Sequence, residues 1–257
     1  MNDVETGPAP ARPCRLLAID TATEKTSLVL VTPQSMLAIE GDGGAQASAR
    51  LLADLQLLLE RAGCRLADLD AIGFGCGPGA FTGIRTACSV AQGLAFGAGK
   101  PVLAIDSLML VAEGARAELL AIGADTVWVL QDARMDEIYA AAYRWQGESE
   151  QRWQTLVAPA LYAVDAWNAS FGTAPAGALA GSALSVMGSR LAGGDVPRIG
   201  AGDGSGSGRA QALGRLAVAQ FSDGRLLDAA QAVPLYLRDK VALTTAEREA
   251  ARAAKAA

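Results

Sequence analysis

Short apolar runs alternate with amphipathic stretches along the first half of the chain. Apolar positions that recur about every 3.6 residues predict helices over 46–62 and 108–120, and a third helix follows a glycine-rich turn and ends near residue 97. The order βββαβαβα predicts a mixed sheet with helices packed on it. The strands of this sheet are expected at 15–20, 27–31, 36–39, 71–76 and 101–105.

The second half of the chain repeats this opening. Strands are predicted at 126–132 and 137–145, with a third near 151–157, and a helix over 160–171 precedes a short strand at 178–181. Because the order βββα occurs twice, we expect an α/β protein of two related lobes, each with a mixed sheet and packed helices.

The expected lobes occupy 14–105 and 106–240. The first lobe carries the two helices at 46–62 and near 84–97, and the helix predicted at 209–221 is in a position to pack back on that lobe. Residues 1–13 are polar and rich in proline and alanine, which is typical of a disordered tail. Residues 241–257 begin with a capping-box pattern and predict a solvated terminal helix.

Composition narrows the classes of function. Of the 257 residues 51% are hydrophobic, and the net charge of −5 argues against direct nucleic-acid binding, because phosphate neutralisation needs a basic surface. There is no histidine, which excludes Ser-His-Asp and Cys-His catalysis and histidine metal ligands. The cysteines form no C-x-x-C pair, so we expect free thiols and no metal site; they are Cys14, Cys64, Cys76 and Cys88.

The chain has no apolar window long enough to span a bilayer, and its first residues lack the cationic and apolar parts of a signal peptide. A cytoplasmic protein is expected. The glycine-rich stretch at 200–208 fits neither G-x-G-x-x-G nor G-K-[ST], so it is interpreted as a loop rather than a nucleotide site.

The turn after the first strand holds Asp20, Thr21 and Thr23 around Ala22. A turn of small hydroxyl residues can present backbone N–H groups to a phosphate, and actin-like and sugar-kinase-like ATPases begin in this way. The other interpretation is an ordinary hairpin whose aspartate is satisfied within the protein. We favour the second, since the chain shows no further phosphate loop, and regard the turn as a degenerate phosphate loop.

The glycine-rich turn after the fourth strand also has two interpretations. It could bind an anion at the N-terminus of the following helix, with an arginine adding positive charge, or it could simply aim that helix. Neither a general base nor a nucleophile lies within it, so we interpret it as a helix-positioning turn with Thr82 as N-cap. Its residues are Gly77, Pro78, Gly79, Phe81, Thr82, Gly83 and Arg85.

The helix that follows carries a stripe of small residues outside its apolar face. Ser89, Gly93 and Gly97 recur at intervals of four and would form a groove that another helix can enter. Glycine inside a helix costs about 1 kcal/mol relative to alanine, so two of them indicate a packing reason. On the preceding helix Leu57 is expected to point into solvent while Leu52 faces the core. These four positions, with Leu57 as the fourth, are the predicted partner interface.

The chain resembles the TsaB family, the Gcp-like non-catalytic subunits of the bacterial machinery that makes threonylcarbamoyladenosine in tRNA. Two departures stand out: Ala80 replaces the usual serine of the glycine loop, and Ala47 lies where many members have histidine. The matching blocks are 19–23 (IDTAT), 77–85 (GPGAFTGIR), 91–95 (AQGLA), 132–139 (DARMDEIY) and 234–238 (PLYLR).

The resemblance implies an actin-like ATPase (ASKHA) fold of two lobes without working catalysis. It implies homodimers through the two helices of the first lobe, pairing with the catalytic paralogue TsaD through a similar helix bundle, and a TsaE-like ATPase that joins that pair. The expected function is therefore a scaffold subunit that activates a TsaD-like transferase, meets tRNA only indirectly and has no cofactor of its own, although the interface with the partner leaves room for a nucleotide.

Two rival functions remain. One is an actin-fold ATPase or small-molecule kinase with Asp20 and Thr23 at the phosphate. The other is a homodimeric protein with an unrelated regulatory role.

Overall fold

The computed structural model describes residues 5–7, 13–43, 45–147, 152–171, 177–193, 195–200 and 208–238. Residues 201–207 of the loop expected at 200–208, and the terminal helix expected at 241–257, lie outside these residues. Of the tail predicted to be disordered, Glu5–Gly7 forms a strand, β1, which pairs antiparallel with β4 (Met36–Asp42); residues 1–4 and 8–12 are not among those described.

The first lobe is built on a six-stranded sheet in the order β1-β4-β3-β2-β5-β6. The central strand β2 is buried along its whole length, antiparallel to β3 and parallel to β5. The remaining elements of this lobe are β2 (Leu16–Asp20), β3 (Lys25–Val31), α1 (Ala45–Ala62), β5 (Ala71–Gly77), α2 (Phe81–Ala98) and β6 (Val102–Asp106).

Alternate side chains of β2 face two different cores, as the period of a strand requires. Leu17 and Ile19 pack with residues of α1 and α2 on one side of the sheet. Leu16 and Ala18 belong to the core on the other side, where α3 (Ser107–Ala121) and α6 (Arg209–Ser222) lie. The helices α1 and α2 therefore form an outer layer with one face free of the sheet.

The second lobe has a four-stranded sheet in the order β10-β7-β8-β9. Its inner face packs on α3, and its outer face covers Trp167 of α4, which is fully buried and meets Trp128 edge to face at 5.2 Å. The elements are β7 (Thr126–Arg134), β8 (Glu137–Trp145), β9 (Trp153–Ala163), α4 (Val164–Phe171), β10 (Ala178–Ala180) and α5 (Ala183–Met187).

The third strand of this sheet is longer than predicted. It was expected to end near 157 and to be followed by a helix from 160, yet β9 continues to Ala163 and α4 begins only at Val164. Proline cannot donate to a ladder, yet Pro159 lies within β9. It is tolerated here because β9 is an edge strand and its pairing with β8 shifts register between Ala140 and Ala142.

The chain returns to the first lobe at its end. The segment 209–238 was assigned to the second lobe, with its helix in a position to pack back on the first. The helix α6 packs on β2, β3 and β4, and Leu227 pairs with Val102 of β6. The two lobes are joined through α3, where the buried Glu113 pairs with Arg215 of α6 and accepts from Trp153 Nε1 of β9 at 2.8 Å. None of the described helices is both long and apolar enough to cross a bilayer.

A buried carboxyl at the start of α3 gives a test of this packing. Asp106 is the N-cap of α3, and its side chain accepts hydrogen bonds from the amide of Leu108 at 2.8 Å and from the Tyr143 hydroxyl at 2.6 Å. Burial raises the pKa of Asp106 above its ordinary value. The folded chain therefore binds a proton more tightly than the unfolded one, and this contribution to stability is lost as pH rises through the folded-state pKa.

We predict that Asp106→Asn flattens the pH dependence of stability, because asparagine still accepts hydrogen bonds but does not ionise. The free energy of unfolding, measured by urea titration, should fall less between about pH 4 and about pH 7 in the variant than in the natural chain. An equal or steeper fall in the variant would contradict the burial argument.

Candidate functional site

The carboxylate of Asp20 is buried and fully engaged within the protein. It accepts hydrogen bonds from the Ala22 amide at 3.0 Å, from the Ser107 hydroxyl at 3.0 Å and from Arg209 Nη2 at 3.2 Å. Arg209 and Asp20 form an ion pair whose side chains are only 3% and 0% exposed. The aspartate at the start of the turn after β2 is thus neutralised by a cation from α6.

The strands β2 and β5 and the helices α3 and α6 meet at this ion pair. Each contributes one residue to a cluster that we call the Asp20 centre, made of Asp20, Gly75, Ser107 and Arg209. The Ser107 hydroxyl that donates to Asp20 also accepts from the Gly77 amide at 3.1 Å. A Cβ on Gly75 would lie 1.9 Å from Asp20 Oδ2, so only glycine fits there. The ends of β2 and β5 and the first residues of α3 and α6 are therefore held together by one carboxylate.

The glycine-rich turn packs directly on the turn after β2. The Thr21 hydroxyl donates to the Gly83 carbonyl at 2.6 Å, and the Ala80 amide donates to the Ala22 carbonyl at 2.8 Å. A Cβ on Gly83 would stand 1.8 Å from the Thr21 carbonyl oxygen, and one on Gly79 would stand 2.4 Å from that of Ala22. Backbone touches backbone, so no phosphoryl group fits between these two turns.

The start of α2 differs from the prediction in one respect. Thr82 was expected to cap the helix, but Ala80 occupies the N-cap and Thr82 is exposed inside the first turn, so that prediction was wrong. The helix begins earlier because the contact of Ala80 with the turn after β2 already fixes the chain there. Gly77 has a φ of +104°, and Pro78 is buried behind it.

The remaining polar residues of the two turns are also occupied. Arg85 lies 3.7 Å from the centre of the Phe81 ring and donates to the Tyr236 hydroxyl at 2.7 Å, so its guanidinium is held by aromatic groups rather than by an anion. The Thr23 hydroxyl accepts from the Lys25 amide at 3.2 Å. Tyr236 was missed by the sequence analysis as a site residue, although it lies in one of the blocks that carry the family resemblance.

The small-residue stripe of α2 is open to solvent. Ser89, Gly93 and Gly97 are all exposed, and a Cβ on either glycine would meet nothing within 4 Å in the described chain. Phe96, next to the stripe, is 61% exposed. The geometry therefore presents a shallow groove with a large apolar side chain beside it.

On α1 the two expected leucine positions are exchanged. Leu57 is half-buried and packs against the first-lobe core, whereas Leu52, expected in the core, is 59% exposed. A helical wheel records angles around one axis only, while neighbouring elements decide how far around the helix burial extends. Leu52, rather than Leu57, is thus the leucine that this outer face exposes.

Between the lobes lies a cleft of about 390 Å³, which we call the interlobe cleft. Two arginines make contacts across it. Arg134 of β7 forms an ion pair with Glu24 at 2.9 Å, and Arg238 donates to the Ala133 carbonyl at 2.9 Å and pairs with Glu137. Its walls come from residues 22–25 and 79–84 of the first lobe, 235–238 of the closing segment, and 131–139 and 182–186 of the second lobe.

Two further chemistries find little support in the described residues. No group of three or more acidic, cysteine or histidine side chains there is placed to hold a metal ion. The four cysteines are free, and burial, with the nearby Asp106 and Asp20, raises the pKa of Cys76 to about 12. At neutral pH this thiol is protonated and a poor nucleophile.

Comparison with known proteins gives the lineage. The family model described as "TsaD: tRNA N6-adenosine threonylcarbamoyltransferase" matches residues 45–244. Two solved structures from Pseudomonas aeruginosa superpose on most of the chain. One is a protein with similarity to peptidase YEAZ, with 33% sequence identity and a TM-score of 0.72 over 88% of this chain and 100% of that one. The other is YeaZ, with 32% sequence identity and a TM-score of 0.70 over 87% of this chain and 100% of that one. The chain belongs to the TsaD-like family, in its TsaB branch.

Two curated relatives in the TsaB branch carry the name "tRNA threonylcarbamoyladenosine biosynthesis protein TsaB". The Escherichia coli protein is 38% identical over 53% of this chain and 61% of its own length. The Haemophilus influenzae protein is 40% identical over 48% of this chain and 51% of its own length. The chain thus matches less than two thirds of each curated relative. An actin-like α/β fold with two mixed sheets is in keeping with this membership.

We predict that Arg209→Met lowers the free energy of unfolding by about 3–5 kcal/mol, because it strands the buried Asp20 charge without its partner. The double variant Asp20→Asn, Arg209→Met should recover part of that loss, since no buried charge is left. Urea unfolding measures both changes. Equal losses in the single and double variants would show that the ion pair is not the source.

The turn-on-turn contact predicts opposite effects at two glycines of α2. Gly83→Ala should destabilise by about 1–3 kcal/mol or more, since its Cβ would collide with the Thr21 carbonyl. Gly93→Ala, in open space, should stabilise by up to about 1 kcal/mol through helix propensity. Thermal unfolding of the two variants provides the comparison, and a harmless Gly83→Ala would refute the close contact.

Proposed function

We propose that this chain is a non-catalytic subunit that binds a TsaD-like threonylcarbamoyltransferase and activates it for threonylcarbamoyladenosine modification of tRNA. The observation that carries the proposal is the Asp20 centre: the position that would face phosphate in an actin-like ATPase is filled by Arg209. The assignment to threonylcarbamoyladenosine biosynthesis is taken from the names of the Escherichia coli and Haemophilus influenzae relatives.

The absence of catalysis in this chain rests on several independent features. The sequence holds no histidine, and the thiol of Cys76 has a pKa of about 12. The two turns that would enclose a phosphate touch each other through the Ala80 amide and the Ala22 carbonyl at 2.8 Å. These features disfavour the rival ATPase or kinase that would use Asp20 and Thr23. The chemistry then belongs to the partner.

The outer face of α1 and α2 is the surface proposed to meet the partner. Small residues at Ser89, Gly93 and Gly97 let a second helix approach closely, and the exposed Leu52 and Phe96 offer apolar area for burial. A second copy of this chain could use the same face, so a homodimer and the heterodimer would compete. Leu57, being half-buried, is at most peripheral to this surface.

Activation is proposed to work by population shift. Binding to the α1–α2 face would favour the catalytically competent conformation of the transferase, to the extent that the two conformations differ in affinity for this chain. A TsaE-like ATPase would join the pair. The tRNA would be bound by the partner, because this chain has a net charge of −5. Any nucleotide would lie at the shared interface rather than in this chain alone.

We predict that Gly93→Leu abolishes binding to the transferase without unfolding the chain, because the side chain projects into the open groove. Gly114→Leu is the matched control: Gly114 is an exposed helical glycine on α3 with nothing within 4 Å of its Cβ position. Calorimetric titration with the purified TsaD-like partner should show lost affinity for the first variant only. Unchanged affinity of Gly93→Leu would reject the groove as the interface.

Reconstitution tests the function itself. The TsaD-like enzyme, tRNA and a threonylcarbamoyl donor should modify adenosine far faster with this chain than without it. Saturable binding of magnesium-ATP by the isolated chain, or full activity of the enzyme alone, would favour a rival function.

A further inference from the structure

The interlobe cleft holds polar groups that neither the fold nor the scaffold role uses. We propose that it is a binding site for an uncharged, ring-shaped molecule that carries carbonyl or ring-nitrogen acceptors. The proposal is independent of the α1–α2 face, which lies on the opposite side of the first sheet from α3 and α6.

The floor of the cleft is a pair of polar residues in the second sheet. Gln131 of β7 and Tyr139 of β8 are directly opposite each other in the antiparallel ladder and are 9% and 8% exposed. Both line the cleft. They stand on the face of the sheet that turns toward the first lobe, as does Ala133, which is also a cleft residue.

The orientation of the Gln131 amide is set by the one hydrogen bond that its side chain makes with the described residues. Its Oε1 accepts from the Ser182 amide at 3.4 Å, and because a backbone N–H is a donor, the atom facing it has to be the oxygen. The NH₂ group of Gln131 therefore points elsewhere, and it has no acceptor among the residues that the structure describes.

The Tyr139 hydroxyl likewise has no hydrogen-bond partner in the described part of the chain, although the charges of Arg238 and Glu137 lie near it. Burial raises the pKa of Tyr139, so the hydroxyl keeps its proton and remains a donor at neutral pH. Neither the Gln131 NH₂ group nor the Tyr139 hydroxyl is fully buried, so both donors open into the cleft. Two neighbouring donors that no described residue occupies suit a ligand that brings acceptors to both.

The walls and the size of the cleft favour a ring. Apolar side chains also line the cleft, among them Phe81, Ile84, Val186, Tyr236 and Leu237. Val186 and Tyr236 are 55% and 46% exposed, so they have apolar area left to cover. A volume of about 390 Å³ falls in the range of sites for small molecules, which are mostly apolar with a few placed polar groups.

The charges around the cleft argue against an anion. Each of the three cations that line it already has a carboxylate partner: Arg134 pairs with Glu24 at 2.9 Å and with Asp132 at 3.1 Å, Lys25 with Asp42 at 2.7 Å, and Arg238 with Glu137. A phosphate or carboxylate ligand would have to break one of these pairs. An uncharged ligand leaves them intact.

The experiment titrates the full chain with caffeine, a fused ring that has acceptors and no donors, and with nicotinamide. Saturation-transfer NMR and calorimetry should show saturable binding of both. Nicotinate, which has the ring of nicotinamide with a negative charge, should bind at least about tenfold more weakly. Gln131→Met and Tyr139→Phe should each weaken caffeine binding by about fivefold or more, since each removes one donor.

Tyr162→Phe serves as the matched control, because Tyr162 packs on the other face of the same sheet. It should leave caffeine binding unchanged, and circular dichroism melts would show that all three variants are folded. The proposal is overturned if neither caffeine nor nicotinamide saturates, if nicotinate binds as tightly as nicotinamide, or if neither donor variant weakens binding. Activation of the transferase in the reconstituted assay would be untouched by that failure, so the two proposals fail separately.

Discussion

The structure depends on one buried ion pair. Asp20 and Arg209 are 189 positions apart in the chain, and both side chains are almost completely removed from water. A charge in such a place is stable only with its partner, so α6 has to return to the end of β2 wherever the intervening chain travels. Ser107 completes the arrangement by linking Asp20 to β5 and to the start of α3. This centre therefore holds β2, β5, α3 and α6 of the structure together.

The same centre decides where chemistry can occur. In an actin-like fold the turn after the first strand faces phosphate, but here its carboxylate is occupied and the glycine-rich turn rests on its backbone. What that contact achieves is mechanical: it sets the direction of α2, whose outer stripe at Ser89, Gly93 and Gly97 remains uncovered. The occupied carboxylate of Asp20 and the fixed direction of α2 are two results of one packing arrangement.

The two lobes nevertheless keep a cleft between them. Residues 235–238 lie along one side of the cleft and connect the two lobes. The Leu235 amide donates a hydrogen bond to the Cys76 carbonyl of the first lobe, and Arg238 donates to the Ala133 carbonyl of the second. Three consecutive residues at the tip of the β7–β8 hairpin, Arg134, Met135 and Asp136, have φ near +60°. Such backbone is uncommon outside glycine and marks a turn that the surrounding contacts hold in place.

The sequence by itself determined most of the secondary structure, the twofold βββα order, the glycine-rich turn and the open stripe on α2. These follow from spacing and from residue types that act locally. Only the tertiary structure decided that Arg209 neutralises Asp20, that Leu52 rather than Leu57 is exposed, that Thr82 is not the cap, and that β9 runs through Pro159. Each of these depends on atoms brought in from distant parts of the chain, and periodicity carries no information about them.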